Sequence, residues 1–464
     1  MKSSVIFSLL GCAMFATAAD VTIPVETYKL SNGLRVILSK DNAVPVITVY
    51  MGYDVGARSE EKGRTGFAHL FEHMMFQGSA NVSKGGHFST ISSNGGIMNG
   101  TTHADFTDYY DILPSNKLAT ALWLESDRMR SLSLNDDNLK NQKEAVKQER
   151  RMRFDNQPYT TAILETWSAL MYQNWQSSHS LIGSFEDLNA ATVDDVSKFF
   201  KANYAPNNAT LVIVGDIEIA AAKKSIESYF GDIPSQPVPK HPDLAEPATF
   251  EPRTQIHKDP LARVPAVILG FPGPKRRSPD YYALNMIDAI LTGGDSSRFH
   301  LNLVKGKQSV LGVQAGLGFP SATTLDYRDP EDYGMFVVYK PNFTAEQIVQ
   351  QVQDEIAKLQ TQPIEPKELD RVKTSMRANR IKELQSSLSR AQALAQYQLA
   401  DGDPRLINTE LDKMLAVTPA QIQAAAAKYL TPEKRNVLSI VPAPKPPAPP
   451  AAAPAAAPAP KENR

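Results

Sequence analysis

A helix–loop–strand pattern occurs twice in this chain, and this duplication constrains the fold more than any other feature of the sequence. One copy begins at Thr192 and the other at Thr418, 226 positions later (418 minus 192). In both copies a proline, Pro206 or Pro432, breaks an amphipathic segment, and a short apolar run follows. A chain of 464 residues is too long for one ordinary domain, and a duplicated unit accounts for its length. The sequence therefore predicts an α+β protein of two similar halves, each a sheet with helices packed on it.

Proline-rich stretches divide the chain. Residues 234–252 are rich in proline and lack periodicity, which predicts a linker over 234–256. The linker separates an N-terminal half at 20–233 from a C-terminal half at 257–441. Residues 442–460 are almost entirely proline and alanine, so residues 442–464 are predicted to form an extended, unpacked tail. Such a composition buries too little surface to offset its ordering entropy.

Residues 1–19 have the pattern of a secretory signal peptide. Lys2 supplies a positive charge, residues 5–15 are mostly apolar, and small residues at 16–19 offer cleavage sites. The apolar stretch is too short for a permanent membrane anchor, so we expect a soluble, exported protein, located in the periplasm of a bacterium. The single cysteine, Cys12, lies in a segment similar to a lipoprotein box, but apolar residues continue beyond it and favour ordinary cleavage over lipidation.

The composition argues against two classes of partner. The formal net charge is −1, and hydrophobic and charged residues make up 42% and 21% of the chain. These proportions are typical of a folded protein. With no basic excess to release phosphate counterions, we expect no binding to nucleic acid or to anionic membranes. No apolar run is long enough for an integral membrane span.

Local patterns predict the elements that surround the most informative motif. Residues 31–33 contain Asn-Gly between two alternating segments, which is typical of a β-hairpin. Residues 46–53 are predicted to form a third strand. The segment 67–76 has helical spacing, lies between two glycines, and has Thr65 as its predicted N-cap.

Residues 69–73 (HLFEH) carry the chemistry of this helix. His69 and His73 are four residues apart, so a helix places both imidazoles on one face, within reach of a single cation. Glu72 lies close to the same face, where it can accept a proton from water whose pKa zinc lowers to about 7. The motif therefore predicts a hydrolytic Zn²⁺ site with Glu72 as general base.

A catalytic zinc ion needs a third protein ligand and one open position. The predicted helix at 138–153 offers Glu144 and Glu149, and spacing alone leaves the choice between them open. The other histidines show no ligand spacing and are predicted to be ordinary surface or packed residues, among them His87, His103 and His300.

The context of the motif, residues 66–79 (GFAHLFEHMMFQGS), resembles the pitrilysin (insulinase-type) family of inverzincin metallopeptidases, which includes mitochondrial processing peptidase and bacterial relatives. Similar segments extend through most of the mature chain, at 30–34, 99–110, 148–151 and 204–208. The resemblance implies mostly antiparallel sheets in the two halves. It also implies a zinc endopeptidase that hydrolyses peptides or small unfolded polypeptides in a closed chamber.

The resemblance also selects the third ligand. In that family it is a glutamate on a later helix, and Glu149, 76 positions after His73 (149 minus 73), matches in context. The implied ligands are therefore His69, His73 and Glu149. The family often has a second glutamate seven residues before this ligand, but here the position holds Gln142, to which we assign no catalytic role.

Asn99 matches an asparagine that lies near the substrate in the family, on an edge strand that binds the peptide backbone. Gly100 replaces the family's usual alanine beside it. The resemblance implies that Asn99 binds substrate, and the alternative is an ordinary Asn-Gly turn.

The C-terminal half has no second H-x-x-E-H motif, although residues 293–299 resemble the family's glycine-rich segment. Active single-chain or homodimeric relatives carry an arginine and a tyrosine, seven residues apart, that reach the substrate, and the matching positions here are Val304 and Leu311. Neither side chain can donate a hydrogen bond. We therefore expect a zinc-bearing half of a heterodimer whose homologous partner supplies the arginine–tyrosine pair. The alternatives are a non-catalytic scaffold or peptide-binding subunit of the same fold, and a processing peptidase for one precursor.

Overall fold

The computed structural model of the protein describes residues 22–247, 249–321, 326–328 and 332–444. The predicted signal peptide, Cys12 and nearly all of the proline–alanine tail lie outside the described residues. Within the described ranges, no helix combines the length and apolarity that a membrane crossing requires.

The first sheet has six strands, and all neighbours in it are antiparallel except β2 and β6. Its strands are β1 (Glu26–Lys29), β2 (Arg35–Lys40), β3 (Val46–Tyr53), β4 (Ile97–Thr102), β5 (Thr107–Pro114) and β6 (Ala209–Gly215). Their order is β1-β2-β6-β3-β5-β4, so β1 and β4 are edge strands. The predicted hairpin around residues 31–33 joins β1 to β2, and β3 has the predicted bounds.

The second sheet has five strands with one parallel pair, β7 and β11. Its strands are β7 (Thr254–Asp259), β8 (Ala266–Pro272), β9 (Val310–Leu317), β10 (Asp332–Tyr339) and β11 (Asn436–Pro442). Their order is β7-β11-β8-β10-β9. The α+β architecture of two halves, each with a mostly antiparallel sheet, is therefore confirmed. The strand β7 takes up the last residues of the stretch predicted as a linker.

Helices cover the sheets and connect their strands. Those of the N-terminal half are α1 (Phe67–Met74), α2 (Gly86–Ser93), α3 (Leu118–Ser131), α4 (Asp136–Arg150), α5 (Trp167–Met171), α6 (Trp175–Ser178), α7 (Phe185–Ala190), α8 (Val193–Asn203) and α9 (Ile219–Phe230). Those of the C-terminal half are α10 (Pro279–Thr292), α11 (Ala345–Thr361), α12 (Pro366–Glu383), α13 (Ser387–Asp401), α14 (Glu410–Leu415) and α15 (Pro419–Tyr429).

The repeated sequence pattern forms the same local structure in both halves. Thr192 caps α8 and Thr418 caps α15, each through a capping box in which the side chain at the third helical position bonds back to the cap. Pro206 and Pro432 each begin a short 3₁₀ turn. The apolar run that follows is a sheet strand, β6 in one half and β11 in the other.

The two halves interlock through exchanged helices. Leu394 of α13 packs with Tyr50 and Val212 of the first sheet, although α13 belongs to the C-terminal half. In the other direction, Trp167 of α5 packs with Ile268 of the second sheet. Each sheet therefore buries one face against a helix that the other half contributes. These contacts bind the two halves together.

The expectation that Thr65 caps the motif helix is wrong. The N-cap of α1 is Gly66, whose φ of 80° lies in the left-handed region that favours glycine. The Thr65 hydroxyl donates instead to Asp187. The helix ends at Met74, two residues earlier than predicted.

Candidate metal centre

The helix α1 is anchored by its apolar side and presents its polar side to α4. Leu70, Phe71 and Met74 are fully buried in the core of the N-terminal half. The ring of Phe71 lies 4.4 Å from that of Tyr204, centroid to centroid. Side chains on a helix follow a 3.6-residue period, so those of the motif that are not in the apolar set lie on another side of α1. This packing therefore turns His69, Glu72 and His73 toward α4.

The three side chains predicted to bind a metal converge. Glu149 Oε2 on α4 lies 3.7 Å from His69 Nε2 and 3.2 Å from His73 Nε2. One ligand atom of each residue lies within 4.8 Å of the other two. Glu144, the alternative that spacing left open, instead pairs with Lys147 at 2.6 Å and is 62% exposed.

The donor atoms fit a zinc ion. Two imidazole nitrogens and one carboxylate oxygen are the ligand set of a catalytic zinc site that keeps a fourth position open. His73 Nδ1 donates to Gln142 Oε1 at 3.3 Å, and this contact turns Nε2 toward Glu149 and the metal position. Glu149 Oε1 is paired with Arg153 at 2.8 Å, which leaves Oε2 for the metal position.

The charges of this group also suit a cation. Burial, assisted by the neighbouring His73, lowers the pKa of His69 to about 4, so its imidazole is neutral and able to coordinate. Burial opposes the charged form of His73, but the hydrogen bonds to Glu149 and Gln142 and the negative charges of Glu72 and Glu149 together raise the pKa of His73. The hydrogen bond from His73 lowers the pKa of Glu149. A proton is thus held at the point where a metal ion would replace it.

Glu72 lies beside this group and is held by a hydrogen bond from outside α1. The Thr102 hydroxyl donates to Glu72 Oε2 at 2.7 Å. Burial raises the pKa of Glu72, and the Thr102 hydrogen bond partly offsets that rise. A carboxylate with a raised pKa and one oxygen free of this bond is suited to accept a proton.

Asn99 lies on the edge strand that passes the metal centre. It is exposed on β4 opposite Tyr110, and Gly100 pairs with Tyr109, so the alternative of an Asn-Gly turn is wrong. A Cβ at position 100 would lie 2.9 Å from the Tyr109 ring, which explains a glycine there. The same strand ends at Thr102, the partner of Glu72. One edge of β4 is unpaired among the described strands.

Sequence reasoning missed two contacts of this centre. Gln142 lies two helical turns before Glu149, on the same side of α4, and this spacing could have indicated its contact with His73. Thr102 had no such signal, because its contact with Glu72 spans 30 positions.

His87 and His103, outside the motif, each lie against carboxylate groups. His87 Nε2 lies 3.2 Å from Asp111, and with Glu125 these residues form a second group of ligand-type atoms within 4.8 Å. Arg128 already binds both Glu125 oxygens and balances the charge there. His103 lies between Asp108 at 2.9 Å and Asp326 at 3.2 Å.

Comparison with known proteins gives concordant matches along the chain. A family model described as Insulinase (Peptidase family M16) matches residues 35–184. A model described as Peptidase M16 inactive domain matches residues 190–376.

Similar proteins align with nearly the whole chain. The zinc protease PqqE of Helicobacter pylori is 28% identical over 448 residues, covering 95% of this chain and 97% of the relative. A mitochondrial-processing peptidase subunit beta of Lentinula edodes is 22% identical over 427 residues, covering 90% of each. The crystal structure of a protease from Helicobacter pylori superposes with a TM-score of 0.84 at 25% identity, covering 90% of this chain and 100% of that one.

Proposed function

The chain belongs to the insulinase family of peptidases (family M16), and on this premise we propose that it is a zinc-dependent endopeptidase acting on peptides or small unfolded polypeptides. The observation that carries the proposal is the convergence of two imidazole nitrogens and one carboxylate oxygen within 4.8 Å. His69, His73 and Glu149 would hold Zn²⁺, and Glu72 lies next to them with a separate hydrogen-bond partner.

When bound, Zn²⁺ supplies Lewis-acid polarisation and lowers the pKa of water at its open position. Glu72 then serves as the proton acceptor, because its pKa is raised by burial and its Oε2 is fixed by Thr102. After the peptide bond breaks, the same carboxyl group can pass the proton to the departing amine. Gln142 orients His73 by accepting a hydrogen bond from its Nδ1.

The edge strand β4 would bind the peptide substrate. A peptide in extended conformation can pair with the open edge of β4 by β-augmentation, which uses backbone hydrogen bonds and so tolerates many sequences. The exposed side chain of Asn99 on this strand is available to bind the substrate backbone. Because Thr102 ends β4 and contacts Glu72, a peptide bound here runs past the proton acceptor.

We include a homologous partner chain in the proposal. Leu311 is 49% exposed on the edge strand β9, and Val304 is half-buried before it. Neither can donate a hydrogen bond to a substrate carbonyl, so a second, zinc-free homologue would supply the missing arginine and tyrosine. Co-expression with such a homologue should raise peptidase activity, and full activity of the isolated chain would contradict this part. The apolar segment at residues 5–15 supports a periplasmic location.

The variant Glu72→Gln tests the catalytic proposal. It removes the proton acceptor and leaves the three ligands in place, so it should bind one Zn²⁺ per chain and hydrolyse no peptide. Peptide hydrolysis at the wild-type rate by this variant would contradict the role of Glu72. A wild-type chain that binds Zn²⁺ but hydrolyses no peptide, alone or with its partner, would instead favour a non-catalytic peptide-binding subunit.

A further inference from the structure

The helix that carries the zinc-site residues is short and lacks its own cap. The eight residues of α1 are too few for a stable helix by themselves, so its position must come from tertiary contacts. Its N-cap, Gly66, has no side chain to accept the free N–H groups of the first turn. Residues elsewhere in the chain must satisfy these groups.

Glu60 satisfies two of them. Its Oε2 accepts from Gly66 N at 2.9 Å and its Oε1 from Ala68 N at 2.8 Å. The Glu60 side chain is fully buried. Both carboxylate oxygens therefore hold the first turn of α1 from outside the helix, directly before the ligand His69, and the negative charge suits the positive end of the helix dipole.

His179 completes this contact. Its Nε2 lies 3.0 Å from Glu60 Oε2, and its Nδ1 lies 2.9 Å from the carbonyl oxygen of Trp175. Because both ring nitrogens face acceptors, both donate, and the resulting imidazolium balances the buried carboxylate. The ring also stacks on Trp175, with centroids 4.2 Å apart and planes inclined by 14°.

The same end of α1 is tied to the helix of the third ligand. A Cβ at Gly66 would lie 2.7 Å from Gly183 Cα, so the two backbones touch. The carbonyl of Gly183 accepts from Arg150 at 2.7 Å, and Arg150 follows Glu149 in the chain. The start of α1 therefore contacts α4 through Gly183 and Arg150. If these contacts shift, the distance between the two imidazoles and Glu149 changes as well.

We propose that Glu60 and His179 are positioning residues for the zinc site, which hold α1 in the register at which His69 and His73 meet Glu149. The inference rests on the proposed function, because only a metal site needs the three ligands held at fixed distances from one another. Ligand geometry has to be held to within about 0.5 Å for function, so a small shift of α1 affects metal binding before it unfolds the chain.

Glu60→Gln is the direct test. An amide nitrogen cannot accept a hydrogen bond, so in one orientation of the amide Ala68 N–H loses its acceptor, and in the other Gly66 N–H and His179 lose theirs. We expect Zn²⁺ affinity, measured by competition with a chelating dye, to fall about 10–100-fold, as for other residues that orient ligands. The absorption spectrum of the Co²⁺-substituted chain should change, and kcat should fall with KM nearly constant.

Glu355→Gln is the matched control. Glu355 is also a buried carboxylate with two partners, Asn302 at 2.7 Å and Lys358 at 2.6 Å, but it lies on α11 in the C-terminal half. This variant should lose thermal stability and keep wild-type Zn²⁺ affinity and Co²⁺ spectrum. A folded Glu60→Gln chain with the Zn²⁺ affinity of the wild type would overturn the proposal.

Two variants of His179 keep the proposal testable if Glu60→Gln fails to fold. His179→Gln retains a donor for Glu60, whereas His179→Phe retains the stacking on Trp175 and loses the donor. Zn²⁺ affinity should fall more in His179→Phe than in His179→Gln, and equal, wild-type affinities in both would overturn the positioning role. A wild-type chain that binds no Zn²⁺ would overturn the proposed function itself, which separates the two failures.

Discussion

The Thr102 hydroxyl donates a hydrogen bond of 2.7 Å to Glu72 Oε2, and this contact joins the end of the edge strand β4 to the motif helix. The two residues are 30 positions apart in the chain. The contact fixes one oxygen of the carboxyl group that we propose as proton acceptor. It also lowers the pKa of Glu72 against the rise that burial causes.

Thr102→Val should therefore impair catalysis without removing the metal. Loss of the donor raises the pKa of Glu72 further, so the acidic limb of the pH profile of kcat/KM should move to higher pH. Hydrogen bonds to charged groups contribute about 1.5–3 kcal/mol, and kcat/KM near neutral pH should fall roughly tenfold or more. Zn²⁺ content should stay at the wild-type level. Thr102→Ser keeps the hydroxyl and is the control; an unshifted profile in Thr102→Val would refute the role.

Glu149→Gln should weaken metal binding, and Glu144→Gln should not. Glu149 Oε2 lies 3.2 Å from His73 Nε2, whereas the exposed side chain of Glu144 on the same helix pairs with Lys147. The two variants make the same chemical change on α4, so they separate ligation from helix stability. Metal content after dialysis, measured by atomic emission, should fall only in Glu149→Gln. Equal content in both variants would remove Glu149 from the ligand set.

Gly270→Ala should disturb the contact between the two halves. A Cβ there would lie 2.2 Å from the ring of Trp167, so the helix α5 could not pack on the second sheet without moving. Overpacking of this kind costs about 1–3 kcal/mol in the free energy of unfolding, which urea denaturation would measure. The matched control is Gly312→Ala, because a Cβ at Gly312 meets nothing within 4 Å. Equal stability of the two variants would argue against the interlock.

His103 should stabilise the fold in a pH-dependent way. Burial disfavours its charge, but hydrogen bonds to Asp108 at 2.9 Å and Asp326 at 3.2 Å outweigh this and raise its pKa to about 10. Because the folded pKa lies above the ordinary value of about 6.5, the contribution is complete below that pH and is lost as pH rises toward 10.

His103→Gln is the variant that measures this contribution. Its deficit in the free energy of unfolding relative to wild type should be constant below about pH 6.5 and should shrink by more than about 1 kcal/mol by pH 10. Urea denaturation at pH 6, 8 and 10 would follow it. A deficit that stays the same at all three values would show that His103 is not protonated between the aspartates.

Features that depend on near neighbours in the chain were determined by the sequence itself. The spacing of His69 and His73, the capping boxes at Thr192 and Thr418, and the hairpin at residues 31–33 all involve groups within a few positions of each other. Because helices and strands have fixed periods, the spacing of residues along the chain determines which side chains share a face. This is why the duplicated α+β fold and the two-histidine motif could be predicted.

Only the tertiary structure decided which distant groups meet. Spacing left Glu144 and Glu149 open and the family resemblance favoured Glu149, but only the structure places Glu149 Oε2 3.2 Å from His73 Nε2. The contacts of Glu60 and Thr102 with α1 had no sequence signal. The exchange of α5 and α13 between the halves was likewise not predicted. Contacts of this kind depend on how whole elements pack to bury apolar surface, and that arrangement is a property of the complete core rather than of any local pattern.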